Sequence, residues 1–407
     1  MNRKWIPAVV VLVTGAVLLT AACSLNWLME EESSLSNNPI DWGWNSSQES
    51  RSVSSHPESA VVTDISETKE YTVKNTLTGQ QVKYYNYLVA QIEEYETVFH
   101  FDNAGKEDLK AAYFAVLDDH PEYFWLGKGY VYHSSTIGDF SSITLTPTIL
   151  TKDRDELRRL SEELQQLTKQ IVQDAKSKGS VYEQVKYFHD YIVDNTDYDT
   201  AALDLIRDED YDEIVVGGTA YGCLMKHTAL CSGYAAAFQL LCHEAGVDCY
   251  LVNGTRATES GTHQWNFLKL DGDYYYMDVT WDDPVREDGV RVRTYEYFLI
   301  SDEDLARTHT IDHDRPLPDC TAVRYNYYVY NDLYFEEYDF RYIQDAAEKD
   351  PDGTELTMKF GSPEQLELAE NDLMENQRIF EIDGFSGGVS YSTSTSGCIL
   401  TIRNRNE

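Results

Sequence analysis

The sequence predicts an α+β protein, and residues 229–284 carry most of that prediction. An apolar run over residues 235–241 predicts a helix, and Gly246 is placed to end it. A short strand over residues 250–252 follows. Two further segments, around His263 and Asp278, alternate with a period of two, and the Asp271-Gly272 pair between them predicts a β-hairpin. A helix followed by paired antiparallel strands is an α+β arrangement.

Three side chains in this region have the chemistry of a thiol site: Cys231, His263 and Asp278, with spacings of 32 and 15 residues. Cys231 lies where the predicted helix begins, and the partial positive charge of a helix N-terminus favours the nucleophilic thiolate. In adjacent antiparallel strands, Asp278 would accept the ring N–H of His263 and fix its tautomer. Each residue alone has a simpler interpretation: a buried cysteine, a packed histidine, an aspartate in a turn.

Two further groups of residues are candidates around this site. Gly233 is small enough to let a substrate approach the first helical turn, and we expect it to line a substrate groove with Trp265 and Trp281. Tyr221 lies upstream of the cysteine, and its hydroxyl is a candidate oxyanion donor beside the main-chain N–H of Cys231. The alternative is that Tyr221 is a packing aromatic.

The motifs around these residues resemble the transglutaminase-like superfamily, and its bacterial branch most closely. They are Cys231-Ser-Gly-Tyr-Ala, His263-Gln-Trp-Asn and Tyr276-Met-Asp278-Val-Thr-Trp-Asp282-Asp283-Pro284, within roughly residues 190–310. The resemblance implies a papain-like core with Cys231 as nucleophile, His263 as base and Asp278 as the orienting residue. Gln264 departs from the family, where alanine is commoner. Papain-like enzymes hold the oxyanion with an upstream glutamine and animal transglutaminases with a tryptophan, and this sequence has Tyr221 and His227 nearby.

The N-terminus has the features of a targeting segment. Arg3 and Lys4 precede an apolar stretch over residues 6–19, and Thr20-Ala21-Ala22-Cys23 resembles a bacterial lipobox. We expect cleavage after residue 22 and lipidation of Cys23, which would anchor the protein on the extracytoplasmic face of a Gram-positive cell membrane. The alternative is an uncleaved membrane anchor.

The rest of the chain divides by composition and periodicity. Residues 23–62 are a polar, serine-rich tether without periodicity, predicted to be disordered. Residues 63–180 form a mainly helical region, 181–320 the catalytic core, and 321–407 a small α+β accessory unit. Helices are predicted over 79–95, 108–117, 151–176 with Thr151 as cap, 182–195, 340–348 and 363–373. Strands are predicted over 130–133, 142–146 and 291–300, and Ser386-Gly387-Gly388 is expected to be followed by a C-terminal hairpin.

Charge and cysteine content limit the partners. Seventy acidic residues against 33 basic ones give a net charge of −37, which repels nucleic acid. Neither an EF-hand pattern nor zinc-ligand spacing occurs in the sequence, so no cofactor or metal is predicted. His309 and His313 flank Asp312 and Asp314, which faintly resembles a metal site, but we interpret these residues as part of a charged loop. Of seven cysteines, five remain besides Cys23 and Cys231; this odd number argues against a complete disulfide framework. Cys242 and Cys249 could pair, although Cys242 fits a helix interior.

Two classes of function follow. The first is an enzyme that cleaves amide bonds through a thioester acyl-enzyme. It would be most simply a peptidase or amidase, alternatively a protein-crosslinking transglutaminase, acting on a protein or peptide at the cell surface, including cell-wall peptide. The second is a non-catalytic cell-surface binding module. Because all three members of the triad are present, the sequence favours the enzyme.

Overall fold

The computed structural model describes residues 72–137, 140–201, 216–256, 262–284, 292–312, 316–349 and 355–404. Helices and antiparallel sheets alternate along the chain, so the fold is α+β as predicted. The predicted signal peptide, the tether and Cys23 lie outside the described residues. None of the helices that the structure describes is long and apolar enough to cross a bilayer.

The N-terminal half contains four long helices. They are α1 (Gly79–Glu93), α2 (Lys106–Asp119), α3 (Arg154–Lys176) and α4 (Val181–Asn195). Each lies within a few residues of its predicted position. The cap of α3 differs from the prediction, because Asp153 rather than Thr151 accepts hydrogen bonds from the main-chain N–H groups of Asp155 and Glu156. Thr151 instead binds the N–H of Asp153.

A three-stranded antiparallel sheet lies among these helices. Its strands are β1 (Phe99–Asp102), β2 (Leu126–Ile137) and β3 (Phe140–Ile149), in the order β1-β3-β2. The two strands predicted at 130–133 and 142–146 lie inside the much longer β2 and β3. A two-stranded parallel pair follows, β4 (Asp197–Tyr198) with β5 (Thr228–Ala229).

The central element is helix α5 (Cys231–Ala245), packed against a five-stranded sheet. The strands are β6 (Cys249–Arg256), β7 (Thr262–Leu270), β8 (Asp273–Met277), β9 (Phe298–Ile300) and β10 (His309–Ile311), in the order β10-β6-β7-β8-β9. The β7–β8 hairpin turns at Asp271 and Gly272, both with positive φ, as the Asp-Gly pair predicts. The strand predicted over 291–300 is wrong in extent, since only its last three residues form β9.

The C-terminal unit has its own four-stranded sheet. The short helix α6 (Asp302–Leu305) precedes β10, and the C-terminal unit contains the short helix α7 (Tyr327–Tyr330), then α8 (Phe340–Glu348) and α9 (Pro363–Glu370). Its strands are β11 (Tyr334–Phe335), β12 (Glu355–Phe360), β13 (Val389–Ser394) and β14 (Ile399–Asn404), in the order β11-β12-β14-β13. The β13–β14 hairpin begins directly after residues 386–388, as predicted, and turns after Ser394.

Two large apolar cores and a smaller one hold these layers together. The largest contains buried residues from Val73 to Tyr325, so the N-terminal helices and α5 share one core. A second core, from Phe335 to Ile402, belongs to the C-terminal unit. The smallest lies on the other face of the central sheet and includes Trp265 and Tyr297. Both faces of β7 are therefore buried, which fixes the positions of the side chains along it.

Candidate active site

Cys231 is the first residue of helix α5, as the sequence predicts. Leu230 precedes it in an extended conformation, and Gly246 ends the helix with φ of +80°. Cys231 is buried, with 1% of its surface exposed. Its sulfur takes part in a disulfide, so the chemistry discussed below requires the reduced thiol. Five other cysteines are free, including Cys242 and Cys249, which do not pair: Cys223, Cys242, Cys249, Cys320 and Cys398.

Two hydrogen bonds fix the direction of α5 along the sheet. Asn266 Nδ2 on β7 donates to the carbonyl oxygen of Ala235 across 3.0 Å. Gln239 Nε2, one turn later, reaches the carbonyl of Cys249 at 3.4 Å, and Cys249 pairs with Leu268 of β7. Helix and strand therefore run in the same direction. Cys231 is at the start of α5 and His263 is near the start of β7, so both residues lie at the same end of the central sheet.

Asp278 accepts four hydrogen bonds from described residues. It lies one residue beyond β8, and the main-chain N–H groups of Thr280 and Trp281 donate to its Oδ1 at 3.0 and 3.2 Å. Its Oδ2 lies 2.6 Å from Nε2 of His263 and 3.1 Å from Nε2 of His309. Burial alone would raise the pKa of this carboxyl, but the charge and hydrogen bonds of His263 and His309 hold it well below its usual range. Asp278 is thus a buried, fully hydrogen-bonded anion.

The His263–Asp278 contact has the geometry of a catalytic pair. Because Nε2 of His263 binds the carboxylate, Nδ1 is the ring nitrogen left for proton exchange with a thiol. The sequence predicts this pairing from the hairpin alone. It does not place His309 in the site, and the interpretation of that residue as part of a charged loop is wrong. His309 is buried on β10, which pairs with β6 as an edge strand, whereas His313 lies outside the described residues.

His263, Asp278 and His309 also form a group of metal-ligand type, with ligand atoms within 4.8 Å of one another. Two atoms bound to one tetrahedral zinc ion would lie roughly 3.3 Å apart, since each bond is about 2.0–2.1 Å long. The 2.6 Å between His263 and Asp278 is shorter than this and is the length of a charge-assisted hydrogen bond. The contacts of this group are therefore those of a hydrogen-bonded cluster.

The three groove candidates occupy different positions. Gly233 packs against the protein's own backbone, because a Cβ there would lie 2.4 Å from the carbonyl oxygen of Gly217. Trp265 is also buried, and its ring stacks beside His263. Both residues are buried, and their place in a substrate groove stays a prediction. Trp281 is partly exposed, with its ring 4.5 Å from that of His309 and 6.0 Å from that of His263, and remains a groove candidate.

Tyr221, the oxyanion candidate, is buried, and its ring stacks on Phe124 with centroids 4.6 Å apart. The ammonium of Lys226 lies 5.3 Å from the same ring. These contacts match the packing interpretation of Tyr221. The role of the Tyr221 hydroxyl as an oxyanion donor stays a prediction.

A second buried histidine supports the loop that follows Asp278. His189 on α4 places Nε2 3.2 Å from Asp282 Oδ2, and Nδ1 3.0 Å from Asp190. Asp282 in turn accepts from the main-chain N–H of Tyr297 at 3.1 Å. Tyr234 on α5 donates to Asp283 at 2.7 Å. These bonds tie helices α4 and α5 to the loop that orients Asp278.

A cavity of about 480 Å³ lies at the opposite end of α5. It is lined by aromatic and acidic side chains and by Leu240, His243 and Glu244 of the helix. His243 is twelve residues beyond Cys231, which corresponds to roughly 18 Å along a helix axis. This cavity is therefore separate from the Cys231 end of the helix.

Comparison with known proteins shows a family similarity over the part of the chain that contains this site. Residues 165–279 match the transglutaminase-like superfamily. The match includes Cys231, His263 and Asp278. A search of curated proteins gave no significant match.

Several solved structures resemble parts of the chain. A TGase is 17% identical over 37% of this chain and 43% of its own, with a TM-score of 0.26. A proposed cysteine protease from Cytophaga hutchinsonii is 13% identical over 48% of this chain and 80% of its own, with a TM-score of 0.25. A proposed protease from Parabacteroides distasonis is 12% identical over 41% of each chain, with a TM-score of 0.21. The chain thus spans less than half of the length of the TGase and of the Parabacteroides distasonis protein.

Proposed function

We propose that the transglutaminase-like domain is a thiol enzyme that acts on amide bonds through an acyl-enzyme thioester. The observation that carries the proposal is the 2.6 Å bond between His263 and Asp278, on a strand that starts at the same end as the helix beginning at Cys231. A cysteine at a helix N-terminus, a histidine and a carboxylate are the components of an activated thiol.

The reaction follows from these roles. The reduced Cys231 thiol gives its proton to Nδ1 of His263, and the thiolate attacks the amide carbonyl. The imidazolium then protonates the departing amine as the C–N bond breaks, which leaves a thioester on Cys231. Asp278 stabilises the imidazolium through Nε2. Water attacking the thioester releases a carboxylic acid, whereas an attacking amine forms a new amide. In both cases the thiol is regenerated.

We favour hydrolysis, and hence a peptidase or amidase, over crosslinking. Both outcomes use the same three residues, and they differ in the nucleophile that reaches the thioester. The partly exposed Trp281 lies over the His263–His309 pair, where it would contact an incoming substrate or amine. A protein or peptide at the cell surface, including a cell-wall peptide, is the substrate class that we propose.

The first experiment measures alkylation of reduced Cys231 by iodoacetamide against pH. We expect reaction well below the pKa of about 8.5 of an ordinary thiol, and its loss in His263→Ala. Cys231→Ser controls for labelling of other cysteines. A Cys231 that reacts only at alkaline pH would contradict the proposal and favour the binding module.

The second experiment separates the two enzymatic outcomes. Incubating the reduced protein with a denatured protein substrate, with and without a fluorescent primary amine, reports hydrolysis as new peptide ends and transamidation as fluorescence in the substrate. Hydrolysis in the presence of the amine supports the peptidase, and incorporation alone overturns it. Cys231→Ser should abolish both products.

We further propose that the protein is a lipoprotein, held by lipid on Cys23 at the extracytoplasmic face of a Gram-positive membrane. The basic residues, the apolar stretch and Ala21-Ala22-Cys23 support this. Labelling of bacteria that express the protein with radioactive palmitate should mark the wild type and not Cys23→Ala. Equal labelling of both would contradict it.

A further inference from the structure

We propose that His309 is a positioning residue of this site, which donates a hydrogen bond to Asp278 and holds that carboxylate against His263. The inference rests on the proposed function, because it assigns a fourth residue to the same reaction. His309 is 31 residues beyond Asp278 and lies on edge strand β10, where it pairs with Arg256 of β6. Its Nε2 and that of His263 meet the same carboxylate oxygen, at 3.1 and 2.6 Å.

The direction of each hydrogen bond follows from the acceptor. An ionised carboxylate only accepts, so Nε2 of His309 carries the proton. Nδ1 of the same ring lies 2.8 Å from the hydroxyl of Thr308. Burial disfavours the charged ring and lowers its pKa, so Nδ1 carries no proton and accepts from this hydroxyl. The contacts and the burial together select the neutral Nε2–H tautomer. A neutral donor supports the carboxylate without adding a positive charge that would oppose the imidazolium on His263.

The surroundings of His309 make water a poor substitute for it. The rings of Trp281, Trp265 and Tyr297 lie 4.5, 4.9 and 5.4 Å from its ring. Among the described residues, the charged or titratable groups facing it are Asp278, His263, Arg256 and Tyr297, and burial, the largest cause, lowers its pKa. Removing the ring N–H would therefore leave Asp278 Oδ2 with one donor in an apolar enclosure.

The two oxygens of Asp278 have separate tasks. Oδ1 is held by two main-chain N–H groups, which anchor the carboxylate to its own loop. Oδ2 is the oxygen that binds His263, so His309 acts on the same oxygen that holds the base of the triad. A donor on Oδ2 stabilises the anion and fixes the plane of the carboxylate. Loss of that donor raises the pKa of Asp278 toward the working range, because a buried anion with fewer hydrogen bonds is protonated more easily.

The test compares two substitutions that keep the side chain large. His309→Phe fills the enclosure and lacks a donor, whereas His309→Gln places an amide N–H near the position of Nε2. We expect the iodoacetamide rate of reduced Cys231 at pH 5 to fall about tenfold or more in His309→Phe, as for loss of a hydrogen bond to a charged group. The acid limb of the profile should move to higher pH. His309→Gln should stay within about threefold of the wild type.

Two outcomes overturn the inference while the proposed function stands: equal rates in wild type and His309→Phe, or equal losses in both variants with unchanged pH profiles. A wild-type Cys231 without activation contradicts the proposed function instead. A second measurement, of the His309 tautomer, distinguishes failure of the inference from failure of the proposed function. Histidine ¹⁵N NMR, with the signal assigned through His309→Gln, should show the neutral Nε2–H tautomer of His309 from pH 5 to 8. A protonated ring or the Nδ1–H tautomer contradicts the inference, whatever the reactivity of Cys231.

Discussion

Asn266 donates its side-chain amide to the main-chain carbonyl of Ala235 across 3.0 Å, in the interior of the protein. The same amide reaches the carbonyl of Tyr250 at 3.4 Å, so it joins three segments at one point. Ala235 is one helical turn beyond Cys231, and Asn266 is three residues beyond His263. This bond therefore sets the separation between the helix that carries the nucleophile and the strand that carries the base.

Replacing Asn266 by alanine should disturb both folding and reactivity. Two buried carbonyls lose a donor, and we expect the free energy of unfolding to fall by about 1–3 kcal/mol, the usual cost of unsatisfied buried groups. Iodoacetamide labelling of Cys231 at pH 6 should slow as the helix and strand separate. Urea denaturation and labelling measure the two effects. Asn376→Ala is the control, because the side chain of Asn376 is exposed and donates across 3.3 Å to Asp372 on the surface. Equal stabilities of the two variants would contradict the prediction.

The strand that carries His309 depends on a close backbone approach at Gly254. A Cβ at Gly254 would lie 2.1 Å from the carbonyl oxygen of Thr310 and 2.5 Å from the ring of Trp265. Gly254→Ala must therefore push β10 away from β6 and move His309 from Asp278. We expect a loss of about 1–3 kcal/mol in the free energy of unfolding, as for overpacking, together with slower labelling of Cys231.

Gly79→Ala is the matched control for that substitution. Gly79 is the first residue of α1 and has no atom within 4 Å of an added Cβ. The change should be neutral or slightly stabilising, because alanine restricts the unfolded chain more than glycine. Chemical denaturation of both variants measures the difference. A Gly254→Ala protein as stable as Gly79→Ala would show that β10 moves without cost.

The parts of the site that sequence predicts are those with local signals. Apolar residues followed by Gly246 define α5, and Asp271-Gly272 defines the β7–β8 turn, with φ of 50° and 95° at its two residues. A hairpin brings residues near each other in sequence into contact, so Asp278 could be placed beside His263 without knowledge of the rest of the fold. The exposure of neighbouring side chains could not be predicted in this way, because Gly233 and Trp265 are buried against partners that are distant in sequence.

His309 could not be predicted because its position depends on a long-range strand pairing. It joins the site only through the pairing of β10 with β6, and no residue near it in sequence indicates that pairing. Residues 292–297 fail as a strand for a related reason. The main-chain N–H of Thr294 donates to the carbonyl of Asp282 at 2.9 Å, and that of Tyr297 to its carboxylate at 3.1 Å. A buried aspartate thus captures the backbone that a neighbouring strand would otherwise bind.

The buried His189 should make stability depend on pH near neutrality. Desolvation lowers the pKa of His189, but its hydrogen bonds and charge interactions with Asp190 and Asp282 outweigh this, so the pKa in the folded protein is raised. A raised pKa stabilises the folded state fully below the unfolded value of about 6.5. That contribution is lost as pH rises through the folded value, and a tenfold difference in proton affinity between the folded and unfolded states corresponds to about 1.4 kcal/mol.

The variant His189→Gln isolates this contribution. Glutamine keeps a donor in the same enclosure but does not titrate, so the stability difference between wild type and variant should be larger at pH 5.5 than at pH 9. Urea denaturation at the two pH values measures this stability difference. Both proteins share the large negative charge of the chain, so its effect on stability cancels in the comparison. If the difference is constant, the proton on His189 contributes nothing to folding. If it grows with pH, the histidine is folded in its neutral form, and Asp282 is held by hydrogen bonding without an ion pair.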